Sequence, residues 1–178
     1  MLREVLVAFT ATASLAVGAT ALTPAVANYD FCNDNPAAKD CPVAKSMMAL
    51  KDQTAELGAP KIEGKEAVGG RNAPALYFGS TEMNNNLAVV DKVAKEGGEG
   101  MGATLFVKGE GDVYIRVATT LPKALGSELG GPAIDPINAG KSYYGEAPVM
   151  GMSSICGYEP IKDASGAIIG VYSVGYKK

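Results

Sequence analysis

Two stretches near the end of the chain decide the fold. They are DVYIRVATT at residues 112–120 and GKSYYGEAPVMGMSSICGYEPIKDASGAIIGVYSVGY at residues 140–176. β-Branched and aromatic residues are frequent in both, which is typical of β-strands, and KDASG at residues 162–166 has the composition of a turn. The strands predicted here are Asp112–Thr120, Ser142–Met150, Ser153–Ile161 and Ala167–Tyr176. The last third of the chain is therefore predicted to form an antiparallel sheet.

The segment before these strands adds further elements. Ala103–Lys108 is predicted to be a strand, because Gly109-Glu110-Gly111 favours a hairpin between it and the strand that follows. The other elements predicted are a short strand at Pro74–Gly79, a helix from about Asn85 to Glu96, and a loop with at most one turn of helix at Pro122–Gly140.

A first helix is predicted to begin at Pro42, where a first turn tolerates proline, and to end at Gly58. Its apolar side recurs at alternating four- and three-residue steps, which gives one stripe: Val43, Met47, Leu50, Thr54 and Leu57. The stripe could pack in the core or form a dimer seam. No second segment is obviously reserved to cover it, so we expect the helix to pair with its copy or with a receptor helix. Helices first and an antiparallel sheet last indicate an α+β domain.

Residues 1–27 have the pattern of a secretory signal peptide. Arg3 precedes an Ala- and Val-rich stretch, and Ala25 and Ala27 fit a peptidase that cleaves before Asn28. An uncleaved membrane anchor is the alternative, since the stretch is nearly long enough to span a bilayer, but its Ala, Thr and Gly make it only weakly apolar. We expect a periplasmic or secreted protein whose mature part is one domain.

Three cysteines in an exported chain suggest one disulfide and one free thiol. Cys32 and Cys41 are close in a polar segment and are predicted to pair, which leaves Cys156 free. Pairing of Cys156 with either of the other two stays open. Residues 28–64 are thus expected to hold a cysteine loop followed by the first helix.

Composition excludes several function classes. The chain has 0 His, which removes most hydrolytic triads and most catalytic zinc sites. A net charge of −3, without a basic patch, is unsuited to nucleic-acid binding, which depends on neutralising phosphates. No pair of nucleophile and base and no metal-ligating cluster is visible, so we expect neither an enzyme nor a resident metal or cofactor.

A series of short motifs carries a resemblance to a known family. The motifs are Val68-Gly69-Gly70, Pro74-x-Leu76-x-Phe78-Gly79, Val90-Asp91, Ala103-Thr104-x-Phe106-Val107, Arg116-Val117-x-Thr119, the G-x-x-Y-x-G pattern at residues 140–145, the segment from Tyr158 to Gly170, and Val174-Gly175. In order and spacing they resemble Cache domains, the extracytoplasmic relatives of PAS domains, especially the fused Cache 3/Cache 2 type of chemoreceptors. The resemblance implies a long N-terminal helix packed on an antiparallel sheet of about five strands, with residues 65–178 as the ligand-binding domain.

Arg116 is the sharpest candidate for a ligand contact. It lies between Ile115 and Val117 in an otherwise uncharged strand, where a guanidinium could bind a carboxylate through two parallel hydrogen bonds. The alternative is an arginine on a solvated strand face or one paired with a structural acid. A more distant resemblance, to the Cache domains of citrate and C4-dicarboxylate sensor kinases, places Arg116, Thr119, Cys156, Tyr158 and Ser173 at pocket positions.

Those sensors carry basic residues at the two positions that Cys156 and Tyr158 occupy here. A tricarboxylate would therefore bury uncompensated charge, and a monocarboxylate, an amino-acid-like compound or a small polar aromatic fits better. Tyr143, Tyr144 and Tyr158 could add hydroxyls that orient a ligand, or could simply pack in the strands. A buried, inert thiol is the preferred interpretation of Cys156, because no histidine can activate it.

The sequence thus predicts an exported domain that binds a small carboxylate or amino-acid-like ligand and reports to a separate membrane chemoreceptor or sensor kinase. The alternative is a protein-interaction or dimerisation module whose pocket is filled by its own side chains. An open cavity beside Arg116 and Tyr158 would favour the first hypothesis.

Overall fold

The computed structural model describes residues 34–178. The predicted signal peptide and Cys32 lie outside these residues. Helix α1 spans Pro42–Ala55, with proline in its first turn as predicted, and Gly58 follows with a φ of 124° that favours glycine. At 14 residues it does not confirm the long N-terminal helix expected from the family resemblance.

Five strands form the main sheet, as predicted. They are β4 (Met101–Lys108), β5 (Tyr114–Thr119), β6 (Tyr143–Val149), β7 (Met152–Lys162) and β8 (Ile168–Lys177). Their order is β5-β4-β8-β7-β6, and every neighbouring pair is antiparallel. The C-terminal strand is therefore the central one. Together with the helices, this sheet confirms the α+β class.

A smaller antiparallel sheet was only partly predicted. It contains β1 (Pro60–Val68), β2 (Arg71–Phe78) and β3 (Thr81–Glu82) in that order, of which the sequence indicated only the end of β2. Strand β1 has the sequence PKIEGKEAV, and only Val68 in it is buried. Because charged residues fill an edge strand without apolar alternation, the usual signal for a strand is missing.

The remaining helices are α2 (Ala88–Gly97) and α3 (Ile134–Asn138), with a 3-10 turn at Pro122–Ala124. Helix α2 begins about three residues later than predicted. The segment predicted as a loop holds both the 3-10 turn and the five-residue α3. No helix within residues 34–178 is long and apolar enough to cross a membrane.

The apolar stripe of α1 lies inside the domain. Met47 is 1% exposed and Leu50 is 0% exposed, and both belong to the main core, together with Val93 of α2 and Val174 of β8. The prediction that this stripe pairs with a second copy or a receptor helix is therefore wrong, because α2 and the sheet already cover it. A homodimer through this stripe would require the core to open.

The two faces of the main sheet are covered differently. Helices α1 and α2 pack on one face, whereas α3 covers only part of the other, where Ala133 and Ile137 contact a smaller apolar cluster around Phe106 and Tyr158. The rest of that second face carries small and polar side chains, and the candidate site lies there.

Candidate functional site

A cavity of about 240 Å³ lies on the face of the main sheet opposite α1 and α2. Its polar and small lining residues are Gly100, Gly102, Thr104, Arg116, Ser154, Cys156, Tyr158, Ser173, Gly175 and Lys177, and its apolar ones are Met101, Leu121, Val149 and Met152. Gly100, Met152 and Lys177 are exposed, which marks the mouth. Four residues predicted from the sequence are brought together here: Arg116, Cys156, Tyr158 and Ser173.

Strand register explains why these residues meet. Thr104 pairs with Ser173, which pairs with Tyr158, so that three hydroxyls lie side by side across β4, β8 and β7. In the next row Gly102 pairs with Gly175, and Gly175 pairs with Cys156. The two glycines have no side chains to fill the space above the sheet. A Cβ atom at Gly175 would lie 2.8 Å from the Cys156 sulfur, so this row is close-packed at the β7 end.

Arg116 is buried in the cavity wall without an acidic partner. It is 8% exposed, and no carboxylate of residues 34–178 lies within ion-pairing distance of it. Its Nη1 donates to the Ser127 hydroxyl at 2.5 Å, its Cζ lies 4.8 Å from the centre of the Phe106 ring, and its Nε has no hydrogen-bond partner. Burial lowers the pKa of the guanidinium, and the Tyr158 hydroxyl partly offsets this. The group still stays protonated, so the wall holds an uncompensated positive charge.

The backbone around Arg116 holds it firmly. Its N–H donates to the Ser127 carbonyl at 2.9 Å, and its carbonyl accepts from the Gly126 N–H at 2.9 Å. The segment after the 3-10 turn therefore covers the free edge of β5. The side chain is positioned by a strand on one side and by this segment on the other.

Thr119 lies beside the cavity rather than in its lining. Its hydroxyl is 2.8 Å from that of Thr104 and accepts from the Leu121 N–H at 3.2 Å. A bulge interrupts the pairing of β4 with β5 after Leu105, and this places Arg116 and Thr119 on the same side although they are three residues apart. Thr104, which the sequence did not single out, is the threonine that reaches the cavity.

Tyr144 lies on the opposite face of the sheet. Its hydroxyl donates to Glu159 Oε1 at 2.6 Å, and Lys51 of α1 donates to the other carboxylate oxygen at 2.7 Å. Burial and this carboxylate raise the pKa of Tyr144. Neighbouring residues of a strand point to opposite faces, so Tyr143 and Tyr144 cannot both face a cavity. Tyr144 is therefore outside the candidate site.

Tyr143 does lie on the cavity side, but it packs beside the site. Its ring centre is 6.2 Å from that of Tyr158, and its hydroxyl donates to the Glu146 carbonyl at 2.7 Å. It supports Tyr158 from β6 without lining the cavity. The ring contact between the two strands fixes the orientation of Tyr158.

Cys156 and Tyr158 give the β7 side of the cavity a neutral surface. Burial raises the pKa of the Cys156 thiol to about 11, and burial also raises the pKa of the Tyr158 hydroxyl. Cys156 is a free cysteine, in agreement with the sequence analysis. Because Cys32 lies outside the described residues, its disulfide with Cys41 stays a prediction.

The rest of the lining was missed by sequence reasoning, although part of it had a signal. From Ser173, steps of two give Gly175 and Lys177, and from Tyr158 they give Cys156 and Ser154. From Tyr143 of β6 steps of two reach Val149, whereas Leu121 had no such signal because it lies in a loop. Within residues 34–178 no group of three or more His, Cys, Asp or Glu side chains is placed to hold a metal ion.

Cys156 offers a chemical test of the cavity. The rise of its pKa from 9.0 to about 11 lowers the thiolate fraction at pH 8 about 100-fold, so alkylation by iodoacetamide should be at least that much slower than in urea. A ligand in the cavity should slow it further. Peptide mapping under non-reducing conditions identifies the labelled cysteine. Equal rates in the folded and unfolded protein would contradict the buried position of Cys156, and a disulfide at Cys156 would contradict its free state.

The comparisons with known proteins give one assignment. The model of the Cache 3/Cache 2 fusion domain family matches residues 17–178. A search of curated proteins found no match.

Proposed function

Because the chain belongs to the Cache 3/Cache 2 fusion domain family, and Cache domains are extracellular small-molecule sensor domains, we propose that it is an exported sensor for a small carboxylate or amino-acid-like ligand. The ligand would bind in the cavity beside Arg116. The observation that carries this proposal is the buried guanidinium of Arg116, which has no acidic partner among residues 34–178.

The free edge of Arg116 suits a carboxylate. Nη1 is engaged by Ser127 and Nε is buried without a partner, so two parallel hydrogen bonds from the Nε–Nη2 edge require the side chain to turn that edge toward the cavity. A carboxylate there would neutralise a charge that is otherwise costly to bury. The hydroxyls of Thr104, Tyr158 and Ser173 could then bind a second polar group of the ligand.

The volume and the charges of the cavity limit the size of the ligand and the number of its carboxylates. A volume of about 240 Å³ equals that of roughly eight water molecules, which suits a small molecule. Arg116 is the one buried cation of the lining, whereas Lys177 at the mouth is exposed. A second or third carboxylate inside would therefore lack a charge partner.

The open cavity also separates this proposal from its alternative. An interaction or dimerisation module with a filled pocket would have apolar side chains in the space above Gly102 and Gly175. The Cys156 thiol occupies the space beside Gly175, but a cavity of about 240 Å³ next to it is not filled by side chains of residues 34–178. Ligand binding is therefore the better supported function.

Export and signalling complete the proposal. Residues 1–27 would direct the chain to the periplasm or out of the cell, and a disulfide between Cys32 and Cys41 would form there. Ligand binding would be reported to a separate membrane protein, either a chemoreceptor or a sensor kinase, since such receptors are where the resembling Cache domains occur.

A thermal-shift screen tests the proposal. The panel contains small carboxylates, amino acids and, as the contrasting class, amines without a carboxylate. A carboxylate at 100 times its dissociation constant should stabilise the protein by about 2.7 kcal/mol, which raises the midpoint of a domain of this size by roughly 5–10 °C. Amines should give no shift, because they would meet the like charge of Arg116. A panel in which only amines raise the midpoint, or in which nothing does, would contradict the proposal.

A further inference from the structure

One side of the cavity mouth is apolar, in contrast to the inner wall and to Lys177 on the mouth's other side. Met150 is 55% exposed in the turn between β6 and β7, and Met152 is 40% exposed at the start of β7. A second hollow of about 370 Å³ adjoins the mouth and is lined by Leu121, Pro122, Lys123, Ala124 and Met150. Leu121 lines both spaces, so the apolar surface is continuous with the cavity.

We infer that the ligand is a carboxylate with a single apolar group, either aromatic or branched aliphatic, and that this group lies between Leu121 and the two methionines Met150 and Met152. This inference rests on the proposed function, because it needs the carboxylate to bind Arg116. The cavity then holds an amphipathic molecule: its charged end meets the guanidinium, and its apolar end meets Leu121, Val149 and Met152.

The charges of the lining favour one carboxylate over two. Beyond Arg116 the cation in the lining is Lys177, which is exposed at the mouth, where water competes for it. A second carboxylate directed outward would instead lie against Leu121 and Met152 and lose part of its hydration there. An apolar group at the same place gains free energy from burial.

The backbone of Met150 points to the same conclusion. Its φ is 50°, in the left-handed region that is unfavourable for a long side chain, and Gly151 follows with a φ of 80°. Asparagine or glycine is preferred at such a hairpin position. The other non-glycine residue of residues 34–178 with positive φ is an asparagine, Asn85, whose side chain donates to the Ala67 carbonyl at 2.9 Å. At Met150 the chain instead keeps a flexible, polarisable side chain, which suits contact with an aromatic group.

Calorimetric titration of the purified protein with four acids tests the inference. The acids are acetate, butanoate, 3-phenylpropanoate and succinate. Affinity should rise about fourfold for each methylene that becomes buried, which is at least tenfold from acetate to 3-phenylpropanoate. Succinate should bind at least tenfold more weakly than 3-phenylpropanoate.

The substitution Met150→Asn separates binding from folding. Asparagine tolerates the left-handed conformation, so the melting temperature should stay the same or rise. The affinity for 3-phenylpropanoate should nevertheless fall at least fivefold more than that for acetate. The matched control is Met48→Asn, because Met48 is an equally exposed methionine on α1, away from the cavity, and both affinities should remain as in the parent.

Two results would overturn the inference while leaving the proposed function in place. One is succinate binding as tightly as 3-phenylpropanoate, and the other is Met150→Asn with an unchanged ratio of the two monocarboxylate affinities. Absence of binding for all four acids would overturn the inference, and the proposed function would fall with it only if the thermal-shift panel of carboxylates and amino acids also gave no shift.

Discussion

Replacing Arg116 with alanine should weaken the binding of a carboxylate ligand about 30- to 1000-fold, or about 2–4 kcal/mol. The carboxylate would lose its charge partner in a cavity whose other cation, Lys177, is exposed at the mouth. Arg116→Lys should also weaken binding, because an ammonium group cannot reproduce two parallel hydrogen bonds. Tyr158→Phe removes one neutral hydroxyl and should cost about 1 kcal/mol. Calorimetry with the acid that gives the largest thermal shift measures all three.

Arg71→Ala is the matched control for this series. Arg71 donates to Glu128 at 2.8 Å on the surface, so its loss removes an arginine without touching the cavity. The affinity of the Arg71→Ala protein for the ligand should equal that of the parent protein. Thermal melts without ligand show whether each variant is folded. A folded Arg116→Ala protein that binds as tightly as the parent would show that Arg116 has a structural role.

The resemblance to the Cache domains of sensor kinases, rather than alternation along the strands, predicted part of the site. Arg116, Cys156, Tyr158 and Ser173 lie in strands whose ends were predicted to within two residues, and all four line the cavity. Their role in binding is still a prediction. Tyr144 shows the limit of composition alone, because a tyrosine next to Tyr143 must face the helices.

Register and bulges could not be predicted from one sequence. The bulge between β4 and β5 places Thr119 on the same side of the sheet as Arg116, and of the paired threonines Thr104 and Thr119 only Thr104 lines the cavity. A bulge inserts one residue and has no signal in the composition. Each residue after the bulge therefore lies on the face opposite to the one that alternation predicts. The apolar side of the mouth was missed for a related reason: Leu121 and Met150 are far apart in sequence and meet only through the fold.

Apolar periodicity predicted α1 but not what covers it. The stripe of α1 packs against β8 and against α2, in which Val90 and Val93 are buried. Nothing local in the sequence says that these two apolar sides face each other. The stripe therefore packs within the chain, and not against a second copy as its uncovered apolar residues suggested.

Met47→Glu should unfold the protein or lower its melting temperature by more than about 10 °C. Met47 is 1% exposed, and the carboxylate would have to be buried without a partner or take up a proton at neutral pH. With the lost methionine packing, the cost is about 4–7 kcal/mol, a large part of the roughly 5–15 kcal/mol that stabilises a typical domain. Thermal melts followed by circular dichroism measure the change.

Met48→Glu is the matched control for this helix. Met48 is adjacent in sequence and 52% exposed, so its glutamate stays in water and should change the melting temperature by only a few degrees. The two variants share charge, size and helix, and they differ only in the side of α1 that they change. A Met47→Glu protein that keeps its fold but has half the parent's mass in light scattering would restore the helix-pairing interpretation. If Met47→Glu destabilises the protein and Met48→Glu does not, the stripe belongs to the core of a single chain.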